Sequence, residues 1–291
     1  MKKIVSVLCS AALTVGLLAG CSGSGASSTP APKETTPAAT TPAQTTGLEG
    51  TKLKVGASPA PHAEILEVVK GLLAQQGVDL EIVEFTDYIV PNEAVESGEI
   101  DANYFQHITY MNNFNTEHGT HLASVADVHY EPFGIYAGKT AALADLADGA
   151  QIGIPNDPTN GGRALLLLQE QGLITLPEDA GLEPTVLDIQ DNPHNYDIVE
   201  MEAAQLPRSL DSLDLAVING NYAIQAGLNV ADALAIEAAD GTAGTAYVNV
   251  LTVKEGREEE PAIQALAAAL TSDEVRTFMN DTYGGAVVPV F

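Results

Sequence analysis

From Leu53 to Ser58 apolar and polar positions alternate, the period of a half-buried strand. Pro59 and Pro61 then open a stretch from about His62 to Gln76 with apolar residues at helical spacing, and Gly77 stops it. A second strand is predicted over Val78 to Phe85, a short helix over Pro91 to Gly98, and a longer one over Tyr104 to Glu117. Ala150 to Ile154 reads as a strand, Asn156 to Gly162 as a loop, and Arg163 to Gln171 as a buried helix because its Leu run is unbroken. Further strands are predicted at Thr185 to Ile189, Leu215 to Ile218 and Ala246 to Val253, and a last helix at Pro261 to Asn280. Strands alternating with helices predict α/β layers, and no repeat of fixed period is present. Open α/β sheets bind ligands outside the carboxyl ends of their strands. Four segments fall there: Thr86 to Tyr88, Asn156 to Arg163, Asn219 to Tyr222, and Tyr247 to Asn249.

The first fifty residues are of a different kind. Lys2 and Lys3 precede an apolar run from Ile4 to Ala19, interrupted by Ser6, Ser10 and Thr14. This is too short and too polar for a spanning helix, which needs about 20 apolar residues, and it has the form of a secretory signal peptide. Leu18-Ala19-Gly20-Cys21 resembles a bacterial lipobox, with residues 1–20 removed and Cys21 lipidated. Residues 21–50 are otherwise Ser, Gly, Thr, Ala and Pro with few charges, and read as a flexible linker. Such a tether reaches roughly 90 Å at most, at about 3.1 Å per residue. The expectation is an exported protein held by lipid on the extracytoplasmic face of the cell membrane.

Charge narrows the partners. Twelve Lys and Arg stand against 39 Asp and Glu, a formal net charge of −27, which argues against nucleic acid and against direct contact with anionic lipid. The two cysteines, Cys9 and Cys21, both lie before the folded body, so neither a disulfide framework nor a cysteine metal site is expected in it.

Arg163 follows Asn160-Gly161-Gly162 and should lie in the first turn of its helix. There its guanidinium fork and the helix's free N–H groups would hold a carboxylate; the other reading is a salt bridge to one of the many acids. Asn160, Asn219 and Asn249 sit at predicted strand ends, as turn residues or as amides that receive an ammonium or support a carboxylate. Phe105, His107 and Tyr110, with Tyr88 nearby, form either core or the wall of an apolar slot suited to a thioether. His118, His121, His129 and His107 could imitate a zinc site. The spacing lacks a zinc motif and Gly119 breaks the helix, so no metal and no other cofactor is expected. Nucleophile-elbow, phosphate-loop and dinucleotide motifs are missing from the body, so no enzyme activity and no catalytic residues are expected.

Six strings carry a resemblance: EFTDYIVPNEAV (Glu84–Val95), GEIDANYFQHITYM (Gly98–Met111), EPFGIYAGK (Glu131–Lys139), IGIPNDPTNGGRALLLLQ (Ile152–Gln169), EAAQLPRSLDSLDLAVINGNYA (Glu202–Ala223) and AYVNVLTV (Ala246–Val253). Together they resemble the methionine-binding lipoprotein family of the MetQ/NlpA type, whose members are substrate-binding components of methionine ABC importers. The resemblance implies a two-lobed periplasmic-binding-protein (type II) α/β fold, with two crossover segments and a ligand cleft between the lobes. Crossovers near Gly138 and Thr245 would divide it into residues 51–137 (lobe 1), 138–245 (lobe 2) and 246–291 (return to lobe 1). Carried over by motif, Arg163 would clamp the ligand carboxylate, and Asn219 and Asn249 would bind its amino or carboxylate groups. Asn160 would support Arg163, while Tyr88, Phe105, His107 and Tyr110 would surround the side chain. The implied partners are methionine or a close analogue, the importer permease with its cytoplasmic ATPase, and the membrane through lipid (palmitate among the acyl chains) on Cys21. A same-fold binder of another amino acid, a dipeptide or a metal ion is the alternative.

Overall fold

Thr51–Ala57 forms strand β1, and a tight turn at Pro59–Ala63 leads into helix α1 (Glu64–Ala74). Gly77, at φ 80°, ends the helix in the left-handed conformation that glycine adopts without strain, and β2 (Val78–Glu84) follows parallel to β1. Next come α2 (Val90–Ser97), β3 (Ala102–His107), α3 (Ile108–His118), β4 (Leu122–Tyr130) and β5 (Gly134–Ala137). The middle of the chain holds β6 (Gln151–Pro155), α4 (Pro158–Glu170), β7 (Asp197–Met201), α5 (Leu206–Ser209), β8 (Leu215–Ile218), α6 (Gly220–Gln225) and β9 (Ala235–Ile236). It closes with α7 (Ala243–Ala246), β10 (Val248–Lys254), α8 (Pro261–Leu270), α9 (Asp273–Tyr283) and β11 (Val288–Pro289). This computed structural model describes residues 47–238 and 243–291. The signal-peptide and Cys21 readings, and the linker up to residue 46, lie outside the described residues.

Two mixed sheets make the two lobes. The first has the order β11-β4-β10-β3-β1-β2, the second β7-β6-β8-β5-β9. β10 enters the first sheet antiparallel to both β3 and β4, so the last part of the chain completes the lobe that the first part began. Each lobe has its own core. In the first, Val55, Leu66, Val69, Leu73, Ile263, Leu266 and Leu270 are fully buried between the sheet and α1, α8 and α9. In the second, Leu165 and Leu168 of α4 pack with Ile152, Ile154 and Val217. Each such side chain contributes about 1.5–3 kcal/mol relative to exposure, which explains the unbroken Leu run of α4. No helix among the described residues is long and apolar enough to cross a membrane.

Several elements differ from the sequence-based expectation. Tyr104 to His107 is strand, not the start of a helix; all six residues of β3 are buried, so no alternation marks it. The loop over Asn156 to Gly162 is cut short because α4 starts at Pro158, capped by the Asp157 side chain accepting from the Asn160 N–H. Gly161 and Gly162 sit inside that helix because the chain passes close by: a Cβ on Gly162 would lie 2.7 Å from Glu183 Cα. The strand expected at Thr185 to Ile189 is a short 3-10 turn, closed by reciprocal bonds between Thr185 and Asp188, and the strand lies instead at β7. One helix over Pro261 to Asn280 becomes two, because Ser272 caps a new start. Leu48, placed in the linker, is 5% exposed within the first core. The chain leaves the first sheet after Tyr130 and enters the second at Gly134, ahead of the Gly138 expected, and returns between Ile236 and Val248.

Candidate functional site

Loops and strand ends from both lobes meet around a small cavity of about 20 Å3. It is lined by Tyr88, Phe105, His107, Tyr110, Asn160, Arg163, Asn219 and Asn249, so all eight residues singled out above come together. Gln106, Glu131, Gly220 and Asn221 line it as well. The tyrosine hydroxyls are spent: Tyr88 Oη donates to Asn221 Oδ1 at 2.6 Å, and Tyr110 Oη to the Tyr88 carbonyl at 3.1 Å. Tyr88, Phe105 and Tyr110 have centroids 5.6–6.4 Å apart and pack on one another as an aromatic wall of the cavity, a surface of the kind that favours a soft apolar group.

Several of these contacts bridge the lobes. His107 Nδ1 accepts the Tyr110 N–H at 3.0 Å, so the proton sits on Nε2, which donates to Asn160 Oδ1 at 3.1 Å across the cleft. Burial, then the charge of Arg163, pushes this imidazole down to about 3, keeping it neutral. Asn160 is fully used, since Oδ1 also accepts from Asn219 Nδ2 at 2.7 Å and Nδ2 donates to both Asp157 oxygens. The Tyr88–Asn221 bond, the Tyr222 Oη bond to the Thr86 carbonyl (3.2 Å) and the Gln225 bond to the Ala60 carbonyl (3.1 Å) cross the same gap.

Two polar atoms in the lining are buried without a partner among the described residues: Asn219 Oδ1, an acceptor, and Asn221 Nδ2, a donor. An unpaired buried polar atom costs about 1–3 kcal/mol, so the lining keeps one donor and one acceptor whose pairing would be favourable.

Arg163 is 4% exposed and makes the salt bridge that was one of its two readings. It is paired: Nε donates to Glu237 Oε2 at 3.0 Å, Nη2 to Glu237 Oε1 and to the Glu131 carbonyl at 3.0 Å. Nη1 has no hydrogen-bond partner among the described residues, and Arg163 lines the cavity. The guanidinium lies over the Tyr247 ring at 4.2 Å and the Phe133 ring at 4.7 Å. Burial opposes its charge, but Glu237 more than offsets this and raises the pKa above its ordinary value.

Behind the cavity, Glu131 meets two fully buried histidines. His129 Nε2 donates to Glu131 Oε1 at 2.9 Å while its Nδ1 meets Tyr104 Oη at 2.5 Å. His62 Nε2 donates to Asn249 Oδ1 at 3.0 Å and lies 3.5 Å from Glu131, and its Nδ1 pairs with Ser58 Oγ. These three side chains come near enough to hold a metal ion, yet each ring nitrogen already has a hydrogen-bond partner. The His118–His121 grouping raised from sequence does not assemble with His107: His118 stacks on Phe114, and His121 faces Glu96.

The NlpA lipoprotein profile matches residues 53–291. The chain belongs to the NlpA lipoprotein family. Membrane lipoprotein TpN32 of Treponema pallidum is 46% identical over 237 residues, covering 81% of this chain and 87% of that protein. D-methionine-binding lipoprotein MetQ of Escherichia coli K12 is 42% identical over 240 residues, again 81% and 87%. The structure of a nutrient-binding protein from Burkholderia cenocepacia bound to methionine aligns with a TM-score of 0.78 at 39% identity, over 82% of this chain and all of that one. The two-lobed architecture is thus that of the NlpA family's binding proteins.

Within this NlpA-family site, four participants escaped the sequence reading. Asn221 sits two residues after Asn219, and Glu131 opens one of the quoted strings, so both lay in segments already marked. Gln106 lay between two chosen neighbours. Gly220 is needed for closeness: a Cβ there would lie 2.7 Å from Glu131 Cβ and 2.8 Å from Oε2. Glu131 cannot move aside freely because His129 holds it. Gly220→Ala should therefore prise α6 from the crossover, an overpacking cost of about 1–3 kcal/mol that weakens ligand binding ~10- to 100-fold while both cores persist. Titration calorimetry beside a thermal melt checks this; unchanged affinity would refute the close-approach argument.

Proposed function

We propose that this protein is a lipid-anchored, extracytoplasmic solute-binding protein that captures methionine and delivers it to an ABC importer. The observation that carries the reading is the cavity's mixed lining. It combines Arg163, the unpaired donor Asn221 Nδ2, the unpaired acceptor Asn219 Oδ1 and the buried Glu131 with the rings of Tyr88, Phe105 and Tyr110. The polar groups match an amino acid's carboxylate and ammonium, and the rings a flexible, polarizable thioether. In this reading Arg163 and Asn221 take the carboxylate, Asn219 and Glu131 take the ammonium, and Asn249 presents its amide to the same groups. Asn160 and His107 hold the lobes together around them. The names of the relatives support the choice of ligand, and the expected lipid on Cys21 with its leash supports delivery to a membrane partner.

Two or three charge-assisted contacts at about 1.5–3 kcal/mol each, plus about 1.5–3 kcal/mol for the buried side chain, reach the roughly 8 kcal/mol of micromolar binding. The test is calorimetric titration of protein that has been unfolded and refolded to strip bound ligand. One-to-one binding of L-methionine at micromolar or tighter affinity is expected. Silence with L-methionine but heat with D-methionine, methionine sulfoxide or a methionyl dipeptide would move the ligand; silence with all of them would end the proposal.

A further inference from the structure

Every group that fixes Arg163 belongs to a crossover between the lobes or to the residues flanking it, and one of them, Glu237, gathers most of the bonds. Its carboxylate accepts from Arg163 Nε and Nη2, from Tyr130 Oη at 2.6 Å and from the Phe133 N–H at 3.1 Å. Its own N–H donates back to the Phe133 carbonyl at 3.0 Å, so the second crossover is tied to the first through this residue. Glu237 is 7% exposed and lies 74 residues from Arg163 in the chain.

We infer that Glu237 is the positioning and specificity-determining residue of the carboxylate clamp: it turns a single edge of the Arg163 guanidinium toward the cavity and cancels the charge that would otherwise draw any anion. The first half follows from counting donors. A guanidinium has five N–H groups. Nε uses its proton on Glu237, and Nη2 uses its two on Glu237 and the Glu131 carbonyl. The Nη1 pair remains. Rings on two sides, Tyr247 and Phe133, prevent the plane from swinging to offer another edge. The second half follows from charge. A lone buried Arg attracts every carboxylate, whereas an Arg already neutralised by a carboxylate, with Glu131 also in the lining, favours a ligand that brings its own ammonium. The site therefore selects zwitterionic amino acids over simple carboxylic acids of the same side chain.

The inference rests on the amino-acid reading above, and its test separates the two. Glu237→Gln and Glu237→Asp are compared with the parent protein by titration with L-methionine and with its deaminated analogue 4-(methylthio)butanoate. In Glu237→Gln, methionine affinity should fall ~10-fold or more, and the preference for methionine over the deaminated acid should shrink by a similar factor, as expected for a lost charge-assisted fork. Glu237→Asp keeps the charge but not the reach, so it should restore the preference while leaving methionine binding weak. Equal losses for both ligands in Glu237→Gln would show a merely structural residue and overturn the inference, as would unchanged binding of both. If the parent binds a different amino acid, the ligand reading fails and the same comparison is made with that amino acid and its deaminated form.

Discussion

Arg163→Ala is expected to abolish amino-acid binding and, in the same stroke, to destabilise the fold. Binding is lost because Nη1 is the one cationic donor group in the cavity lining among the described residues. Stability is lost because Glu237 would stay buried beside Tyr130 and Phe133 with its charge uncompensated, a loss of about 3–5 kcal/mol when one partner of a buried pair is removed. A binding assay on that variant alone would thus confuse a missing clamp with a loosened hinge. The double variant Arg163→Met with Glu237→Met separates them, because replacing a buried ion pair by apolar side chains of similar volume is close to neutral or stabilising. Urea unfolding of the double variant should return near the parent midpoint while calorimetry still shows no methionine binding. Retained binding in the double variant would sink the clamp assignment, whatever the single variant does.

Acidification should unfold the protein sooner than carboxylate titration alone would. Burial holds the His62 imidazole down to about 4 and His129 and His107 down to about 3, against 6.5 when exposed. A histidine held neutral in the native state binds a proton only on unfolding. Its stabilising contribution is complete above pH 6.5, declines as pH falls through 6.5, and stops changing below the native value. Each such histidine removes about 1.4 kcal/mol per pH unit within that window. Three of them between pH 6.5 and 4.5 remove roughly 8 kcal/mol, the size of a typical domain's whole stability. Glu131 works in the opposite direction. Burial raises its pKa, so the native state takes up that proton first and regains part of the loss as pH falls through the raised value. The net expectation is cooperative unfolding between about pH 4 and 5, with stability declining from pH 6.5 downward. Urea denaturation at pH 7.5, 6.5, 5.5 and 5.0 measures the slope. In His62→Gln, which keeps a side chain able to face Asn249, the slope near pH 5.5 should drop by about one proton. An unchanged slope would mean that His62 is charged in the native state.

What each level of description contributed differs by element. Strands Leu215–Ile218 and Val78–Glu84 were legible because their apolar runs are bounded by strong stop signals. So was the helical Leu run of α4, which no exposed position could carry. The site segments were legible for a topological reason: residues at the carboxyl ends of strands in an α/β layer face the cleft, and aromatics or amides placed there have few other uses. β3 was misread because a central strand buried on both faces has no period-2 signal, and its mix of Asn, Tyr, Gln and His looked like a helix start. Glu237 could not be seen at all. In a chain with 39 acids, one more Glu carries no information until its partner is known, and that partner is 74 residues away.

By itself, the sequence determined the α/β alternation of the body, its acidic character, the family, and the eight side chains that the fold gathers around one cavity, because each of these is written in local pattern or in contiguous motif. Only the tertiary structure decided which atoms of those side chains remain free. Asn160 is exhausted by Asp157, Asn219 and His107; Asn219 and Asn221 each keep one unpaired atom; and Arg163 presents a single edge because Glu237 takes the rest. Hydrogen-bond capacity is divided among neighbours in space, and those neighbours are set by the closure of two sheets on each other rather than by position along the chain.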